Sequence, residues 1–534
     1  MMDFPLTLAH VAARTERLFP SVEVVARKPD RSIERSSWGA VIRRARRLAA
    51  ALTRAGLREG DRVATLQWNG LAHVEAYLGV PLAGGVCHPL NLRLHPDEFG
   101  YIASHARDRF LLVDDVLLPV LESIRAKAPF ERIFVVQHTN APLPAGCESY
   151  TSLLASAGSE FMAPQLDERS AASMCYTSGT TGRPKGVLYT HRSILLHSLS
   201  QALAGDAPIA QRDCVFAVAP MFHVNSWGFP YTAALMGAKL VLPGPHLDAE
   251  SLLDLLDQER VTLTSGVPTI WVAIRDALRA QPGRWRLEPG LRAIVGGSAL
   301  PESLLREMAE LGVQLFHCWG MTETSPIGTY GHVKSTQADF DDEAKFKILA
   351  RQGYASPLVE LRHVDDAGRV LPWDDEAIGE LQCRGPWIAG SYFNSHESDE
   401  RWTADGWFRT GDVVAIDSEG VIRIVDRSKD LVKSGGEWIS SVALENALMA
   451  HSGVREAAVI GVPHPKWQER PIAVVALRPG ASATAEELQQ FLAERFAKWQ
   501  VPDAVVFVEA LPRTGVGKVR KSELRERYRE FPWS

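Results

Sequence analysis

The stretch Tyr176-Thr-Ser-Gly-Thr-Thr-Gly-Arg-Pro-Lys-Gly-Val187 sets four hydroxyl residues (Thr177, Ser178, Thr180 and Thr181) among three glycines (Gly179, Gly182 and Gly186), with one lysine, Lys185. Glycine lets a backbone turn sharply and approach a ligand closely. Successive N–H groups and hydroxyls in such a loop form a concave anion site, which suits a polyphosphate. It is not a Walker A loop, because Gly186 follows Lys185 where serine or threonine is required. The alternative is a plain surface loop, which rarely carries so many hydroxyls beside glycines and a lysine.

Working outward, apolar strands and helical periodicity alternate on both sides of this loop. Upstream, a helix is expected over 40–55, ending at Gly56, then a strand over 62–67, a helix over 73–83 and a strand over 86–90. Further strands are expected over 109–114 and 132–137, and a polar, proline-bearing loop over 139–146. Residues 173–176 lead into the phosphate loop, and 186–190 leave it towards a helix from Ser193. Downstream, Asp248 caps a helix over 249–259 before a strand at 261–265. A helix over 301–311 ends at Gly312 before a strand at 313–316. This alternation predicts an α/β fold with mixed, mostly parallel sheets covered by helices. At Arg427-Ser-Lys429-Asp430 the character changes, and about a hundred residues with their own strands and helices follow, enough for a small domain. The expected division is a large domain over 1–426 and a small, mobile α+β domain over 427–534.

A chain of 534 residues is too long for one core, in keeping with that division. It is 46% hydrophobic and 23% charged, ordinary for a globular protein, and its net charge of −6 makes no case for nucleic acid or an anionic membrane as the main partner. The basic run over 513–529 reads as a solvated helix face, Lys518 excepted. The six cysteines (Cys87, Cys147, Cys175, Cys214, Cys318 and Cys383) form no CxxC pair. Their spacing suits neither zinc nor a disulfide framework, so reduced thiols in a cytoplasm are expected. Neither a signal peptide nor a transmembrane segment is indicated.

The loop also resembles the phosphate loop of the adenylate-forming enzymes: acyl-CoA synthetases, luciferases and peptide-synthetase adenylation domains. Later segments match in the family's order, so the resemblance spans nearly the whole chain. Pro220 to Trp227 is similar to the segment lining the carboxylate pocket, which implies substrate contacts for His223 and Val224. His223 on an apolar stretch is by default a satisfied core histidine. Amino-acid-activating relatives carry aspartate there to hold an ammonium, so His223 points to a plain carboxylic acid. Trp227 resembles a tryptophan that gates an acyl tunnel, with core packing the alternative. Val295 to Ala299, a strand end running into a glycine turn, matches the adenine-side segment, and Gly297 and Ser298 are its contacts. Ligands of parallel sheets sit outside such strand ends.

His317-Cys-Trp-Gly-Met-Thr-Glu323 implies nucleotide contacts for His317, Trp319, Gly320, Met321 and Thr322. Trp319 is expected to stack beside adenine, Thr322 to bond the α-phosphate, and Glu323 with Thr177 to hold Mg²⁺. The family usually has tyrosine where Trp319 stands, and the larger ring is expected to reshape the acyl pocket. The ribose-binding segment is matched by Trp407 to Asp412, with Asp412 and Arg427 on the sugar. In Lys429 to Ser440, Lys429 matches a hinge and Lys433 a lysine of the second half-reaction. Gly435 and Gly436 match the pantetheine passage, and Trp438 packs against the nucleotide. Lys518, on a glycine-flexed loop, matches the adenylation lysine.

The resemblance therefore implies an acid–thiol ligase using ATP, Mg²⁺ and CoA, most similar to medium- and long-chain fatty acid–CoA ligases. A ligase for an aryl or short thioether acid such as methylmercaptopropionate is the nearest alternative. A luciferase-like oxygenase and a non-catalytic nucleotide-binding protein are the alternatives from other classes. By analogy with relatives alone, a homodimer is implied.

Overall fold

Strands 62–66, 86–89 and 108–114 carry apolar centres and are buried almost throughout, as strands covered on both faces are. In the structure, a computed structural model, they lie side by side. It describes residues 1–128, 130–157, 161–177, 183–394, 399–434, 437–513 and 518–533. Among the described residues four sheets form. The first is seven-stranded, in the order Glu148–Ser149, Arg132–Val136, Asp108–Asp114, Arg62–Leu66, Val86–Pro89, Ala171–Tyr176, Gly186–Thr190. Its pairings are parallel except the last, where Ala171–Tyr176 and Gly186–Thr190 run antiparallel. The phosphate loop is therefore a hairpin connection.

The second sheet has nine strands. Its parallel centre comprises Glu23–Arg27, Lys239–Leu242, Cys214–Phe216, Leu263–Gly266, Leu291–Val295 and Val313–Gly320. Antiparallel strands close both edges. One apolar core, including Trp38, Tyr77, Phe110, Phe134, Tyr189 and Phe229, joins the two large sheets. The third sheet is four-stranded and antiparallel: Glu360–Val364, Gly379–Arg384, Phe408–Ile416 and Ile422–Arg427. The fourth is built on the long pair Val454–His464 and Gln468–Leu477, with Val432–Ser434, Glu437–Ile439 and Ala504–Phe507. Along Val454–His464, Val459 packs to one side while Ala458 and Ile460 pack to the other, so this small sheet has a core on each face.

Most expected elements are present, with shifted ends. Helix Trp38–Arg54 starts early because Ser37 Oγ caps it at Ala40 N. Asp248 caps Ala249–Gln258 at 2.9 Å from Ser251 N. The helix expected from Ser193 starts at His191, since Thr190 Oγ1 accepts from Ser193 N at 3.0 Å. The strand at Val313 continues to Gly320, carrying His317 and Trp319 inside the sheet.

Candidate active site

The mouth of the phosphate hairpin is pinned by its own backbone. Thr177 N donates to the Lys185 carbonyl at 2.9 Å, and Lys185 N donates to Thr177 Oγ1 at 3.0 Å. Ser178, Gly179, Thr180 and Thr181 lie outside the described residues. The Lys185 ammonium stands 5.0 Å over the Tyr392 ring, which draws the lysine towards the segment that meets Glu323. A cavity between this mouth and the carboxylate segment is lined by His88, Leu90, Tyr176, Thr177, Phe222 and His223. Thr177 and His223, 46 positions apart in sequence, thus face one space. A roomier surface cavity of about 470 Å³, lined by Leu278, Arg279, Trp285 and Leu311, contains none of the expected site residues.

The chain after His223 does something uncommon. Val224, Asn225, Ser226 and Trp227 all have left-handed backbone, with φ of 45°, 53°, 50° and 55°. Each such non-glycine residue costs roughly 1–2 kcal/mol, so side-chain bonds must hold the turn. Ser226 Oγ donates to the Ala219 carbonyl at 2.6 Å. Gln201 Nε2 donates to the Trp227 carbonyl at 2.8 Å. Asn225 Oδ1 accepts from Ser173 Oγ at 3.1 Å and from Cys175 Sγ at 3.4 Å. Val224 and Trp227 are buried. The His223 imidazole is pushed down to about 3 by burial and then by the charge of Lys518. It is therefore neutral at working pH and offers hydrogen bonds rather than charge.

Past Val295 the turn carries Gly297 at φ +87°. A Cβ built there would lie 3.4 Å from Lys518 Cε, so this turn and the C-terminal lysine are neighbours. His317 supports the turn from below. Its Nε2 is 3.4 Å from the Ser298 carbonyl and its Nδ1 2.8 Å from the Ala350 carbonyl. It is 1% exposed and lies beneath Ser298.

The Gly320–Met321 segment is tightly held. A Cβ at Gly320 would lie 1.9 Å from the Pro326 carbonyl oxygen. Met321 N donates to that same oxygen at 3.0 Å. Thr322 and Glu323 are buried. The Thr322 carbonyl accepts from the Tyr189 hydroxyl at 2.8 Å, and Glu323 Oε1 accepts from the Tyr392 hydroxyl at 2.5 Å. Neither tyrosine was anticipated from sequence, because neither lies in a motif and both contacts are long-range. The Trp319 indole packs with Leu381, Cys383 and Phe408 in the seam between the nine-stranded and four-stranded sheets, and Nε1 donates to Asp412 Oδ2 at 2.7 Å. The other oxygen, Asp412 Oδ1, lies 3.2 Å from Arg427 Nε.

Lys518 ties these parts together. Burial lowers its ammonium to about 8; Arg427 pushes the same way, while Asp412 and Glu323 pull it back up. The lysine therefore shares a field with the ribose-side carboxylate and the expected metal carboxylate. Lys433 and Trp438, on the paired strands Val432–Ser434 and Glu437–Ile439, are exposed, with the ammonium 4.5 Å over the indole. Gly435 and Gly436 lie outside the described residues. Lys429 is exposed in the turn joining Ile422–Arg427 to Val432–Ser434. On one side of that turn Arg427 faces Asp412; on the other Asp430 binds Arg525 of the helix Lys521–Arg527.

Comparison with known proteins matches residues 13–393 to the AMP-binding enzyme family and 443–518 to the AMP-binding enzyme C-terminal domain. A long-chain-fatty-acid–CoA ligase of Thermus thermophilus is 48% identical over 533 residues, covering 99% of this chain and 97% of that protein. A 3-methylmercaptopropionyl-CoA ligase of Ruegeria pomeroyi is 44% identical over 535 residues, covering 99% and 98%. Among solved structures, the anthranilate CoA ligase AuaEII in complex with anthranoyl-AMP aligns with a TM-score of 0.87 at 27% identity, covering 98% of each chain.

Proposed function

The chain belongs to the AMP-binding enzyme family, and from that premise we propose that it is a medium- to long-chain fatty acid–CoA ligase working through an acyl-adenylate. The observation that carries this reading is Lys518 beside the Gly297 turn, near enough for its charge to act on His223 and for Glu323 and Asp412 to act on it, all drawn from separate motifs. A carboxylate is a poor acyl donor, because oxide is a poor leaving group. In the first step a carboxylate oxygen attacks the α-phosphorus of ATP, giving acyl-AMP and pyrophosphate. In the second the CoA thiol attacks the acyl carbon, AMP leaves, and the thiol proton passes to solvent.

In this reading Lys518 offsets the charge of carboxylate and α-phosphate as they meet. Asp412 and Arg427 take the ribose, Thr322 the α-phosphate, and Ser178 to Thr181 with Lys185 the outer phosphates. Among the described residues no group of three or more His, Cys, Asp or Glu is placed to hold a metal. Glu323 and Thr177 instead offer two hard oxygens, which suits Mg²⁺, an ion that keeps several waters and takes phosphate oxygens. When bound, the ion neutralises phosphate charge.

The second step assigns Lys433, Gly435, Gly436 and Trp438 to CoA transfer. That requires the domain from 427 onward to turn about Lys429, and the position of that turn between two sheets supports the assignment. A cytoplasmic homodimer completes the proposal. Its supports are the six free cysteines and analogy with relatives. No described helix is long and apolar enough to cross a membrane.

A second reading, a ligase for a short thioether acid, is favoured by the 44% identity to the Ruegeria pomeroyi protein. One panel separates the two: straight-chain acids from butyrate to palmitate, methylmercaptopropionate and an aryl acid, each with ATP, Mg²⁺ and CoA, reading AMP release and thioester formation. The expected maximum is at a medium- or long-chain acid. A maximum at the thioether acid favours the second reading, and no AMP release with any acid overturns both.

A further inference from the structure

We propose that Trp319 is a positioning residue for the sugar: its indole N–H sets the Asp412 carboxylate to accept a vicinal diol. The inference rests on the nucleotide-site reading above and goes beyond it, since Trp319 was expected to act on adenine and acid. An ionised carboxylate has about four acceptor positions on its two oxygens. Trp319 Nε1 occupies one on Oδ2 at 2.7 Å, and Arg427 Nε faces Oδ1 at 3.2 Å. One position per oxygen then remains, and two adjacent ribose hydroxyls are the ligand that fills both.

The indole cannot easily move from this post. A Cβ at Gly328 would stand 2.6 Å from Trp319 Cζ3, so the absence of a side chain there is what admits the ring. Trp319 N donates to Thr329 Oγ1 at 3.2 Å, and the ring is 5% exposed. Asp412 is equally buried, and its own N–H donates to Thr410 Oγ1 at 3.1 Å. Trp319 belongs to Val313–Gly320 and Asp412 to Phe408–Ile416, so the bond spans two sheets. Hydrogen bonds to charged groups are the stronger class and hold orientation best where water is excluded.

The test compares equilibrium binding of AMP and 2′,3′-dideoxyAMP, which lacks both hydroxyls. Trp319→Phe keeps an apolar ring and removes the donor. It is expected to weaken AMP about tenfold, the worth of one hydrogen bond to a charged group, and to leave the dideoxy nucleotide unchanged. Trp319→His, which retains a ring N–H, is expected to recover part of the preference. Equal weakening of both nucleotides would mean adenine stacking or general scaffolding and overturns the proposal, as does an unchanged ratio. Should Trp319→Phe not fold, ¹⁵N–¹H spectroscopy with Trp319 intact decides. One indole N–H signal is expected to shift on Asp412→Asn, and in the unsubstituted protein on adding AMP but not the dideoxy nucleotide. No such signal overturns the proposal. Binding is measured without acid or CoA, so ribose preference that depends on Trp319 stands even where the acid panel is silent. Conversely, a ligase whose ribose preference ignores Trp319 refutes only this inference.

Discussion

Lys518 and Lys433 are carried by the same small C-terminal region and live in opposite surroundings. Lys518 is drawn into the cleft, beside Gly297 and within the fields of Asp412, Glu323 and Arg427; burial, with Arg427, lowers its ammonium to about 8 against the pull of the two carboxylates. Lys433 is exposed, over the ring of Trp438. If both serve one cleft, they serve it in turn. The difference between them is therefore a prediction about time: the arrangement seen is that of the first half-reaction, and the second needs another.

The largest effect that bears on this contrast is expected from Lys518→Ala. Acyl-AMP formation falls by about 10²–10³-fold, the scale for removing one preorganised electrostatic partner, while attack of CoA on supplied acyl-AMP is largely spared. Lys433→Ala is expected to show the reverse asymmetry. Separate assays of the two half-reactions check both, and equal loss in the two steps from either variant would break the division of labour.

Next comes Lys429→Pro. The exposed turn must absorb the rotation in a few dihedrals, and proline fixes φ near −65°. With the adenylating arrangement locked, acyl-AMP still forms while thiol transfer drops about 10²-fold, the scale of a misplaced reactant. A variant that folds and runs both steps at the parent rate would remove the hinge from Lys429.

The pH profile sharpens the same contrast. An ordinary lysine titrates near 10.5, but docked Lys518 does so at about 8. Between those values the docked state holds fewer protons, so ligand-free docking is favoured as pH rises, even as the useful cation is lost. Below about 8 the lysine is charged in both states and docking is pH-independent. Anionic phosphates raise the docked value, so adenylation is expected to fall tenfold per pH unit only above a midpoint at or beyond about 8. Lys518→Arg should flatten that limb. A limb that persists in the arginine variant belongs to another group.

Trp227 tests the large domain's side of the comparison with the smallest effect. Replacing it with alanine is expected to move acid preference towards longer chains by about tenfold in relative kcat/KM, within the roughly 1–3 kcal/mol that one methylene is worth in an apolar pocket. An unchanged chain-length profile would leave Trp227 as core packing.

What the sequence made legible was local. Glycines and hydroxyls mark the loop between Ala171–Tyr176 and Gly186–Thr190, periodicity the helices, and motif order the expectation that Glu323 and Asp412 serve one nucleotide. What it hid was long-range. Nothing near Tyr392 signals a bond to Glu323, 69 positions away, and nothing near Trp319 signals Asp412, 93 positions away. The strand Glu23–Arg27 pairs with Lys239–Leu242, a neighbour that no local pattern could supply. The left-handed run after His223 was equally hidden, because Val, Asn, Ser and Trp do not advertise positive φ as glycine does.

That run has a consequence for anyone re-tailoring the enzyme. Asn225, in the middle of the acid-side turn, is bolted to Ser173 and Cys175 on the strand that feeds the phosphate hairpin. The turn after His223 and the strand Ala171–Tyr176 are therefore one mechanical part. On the proposed assignment of acid to the turn and phosphate to the hairpin, a substitution that reshapes the turn for a new acid is expected to tug on that strand, and its cost to surface in the KM for ATP.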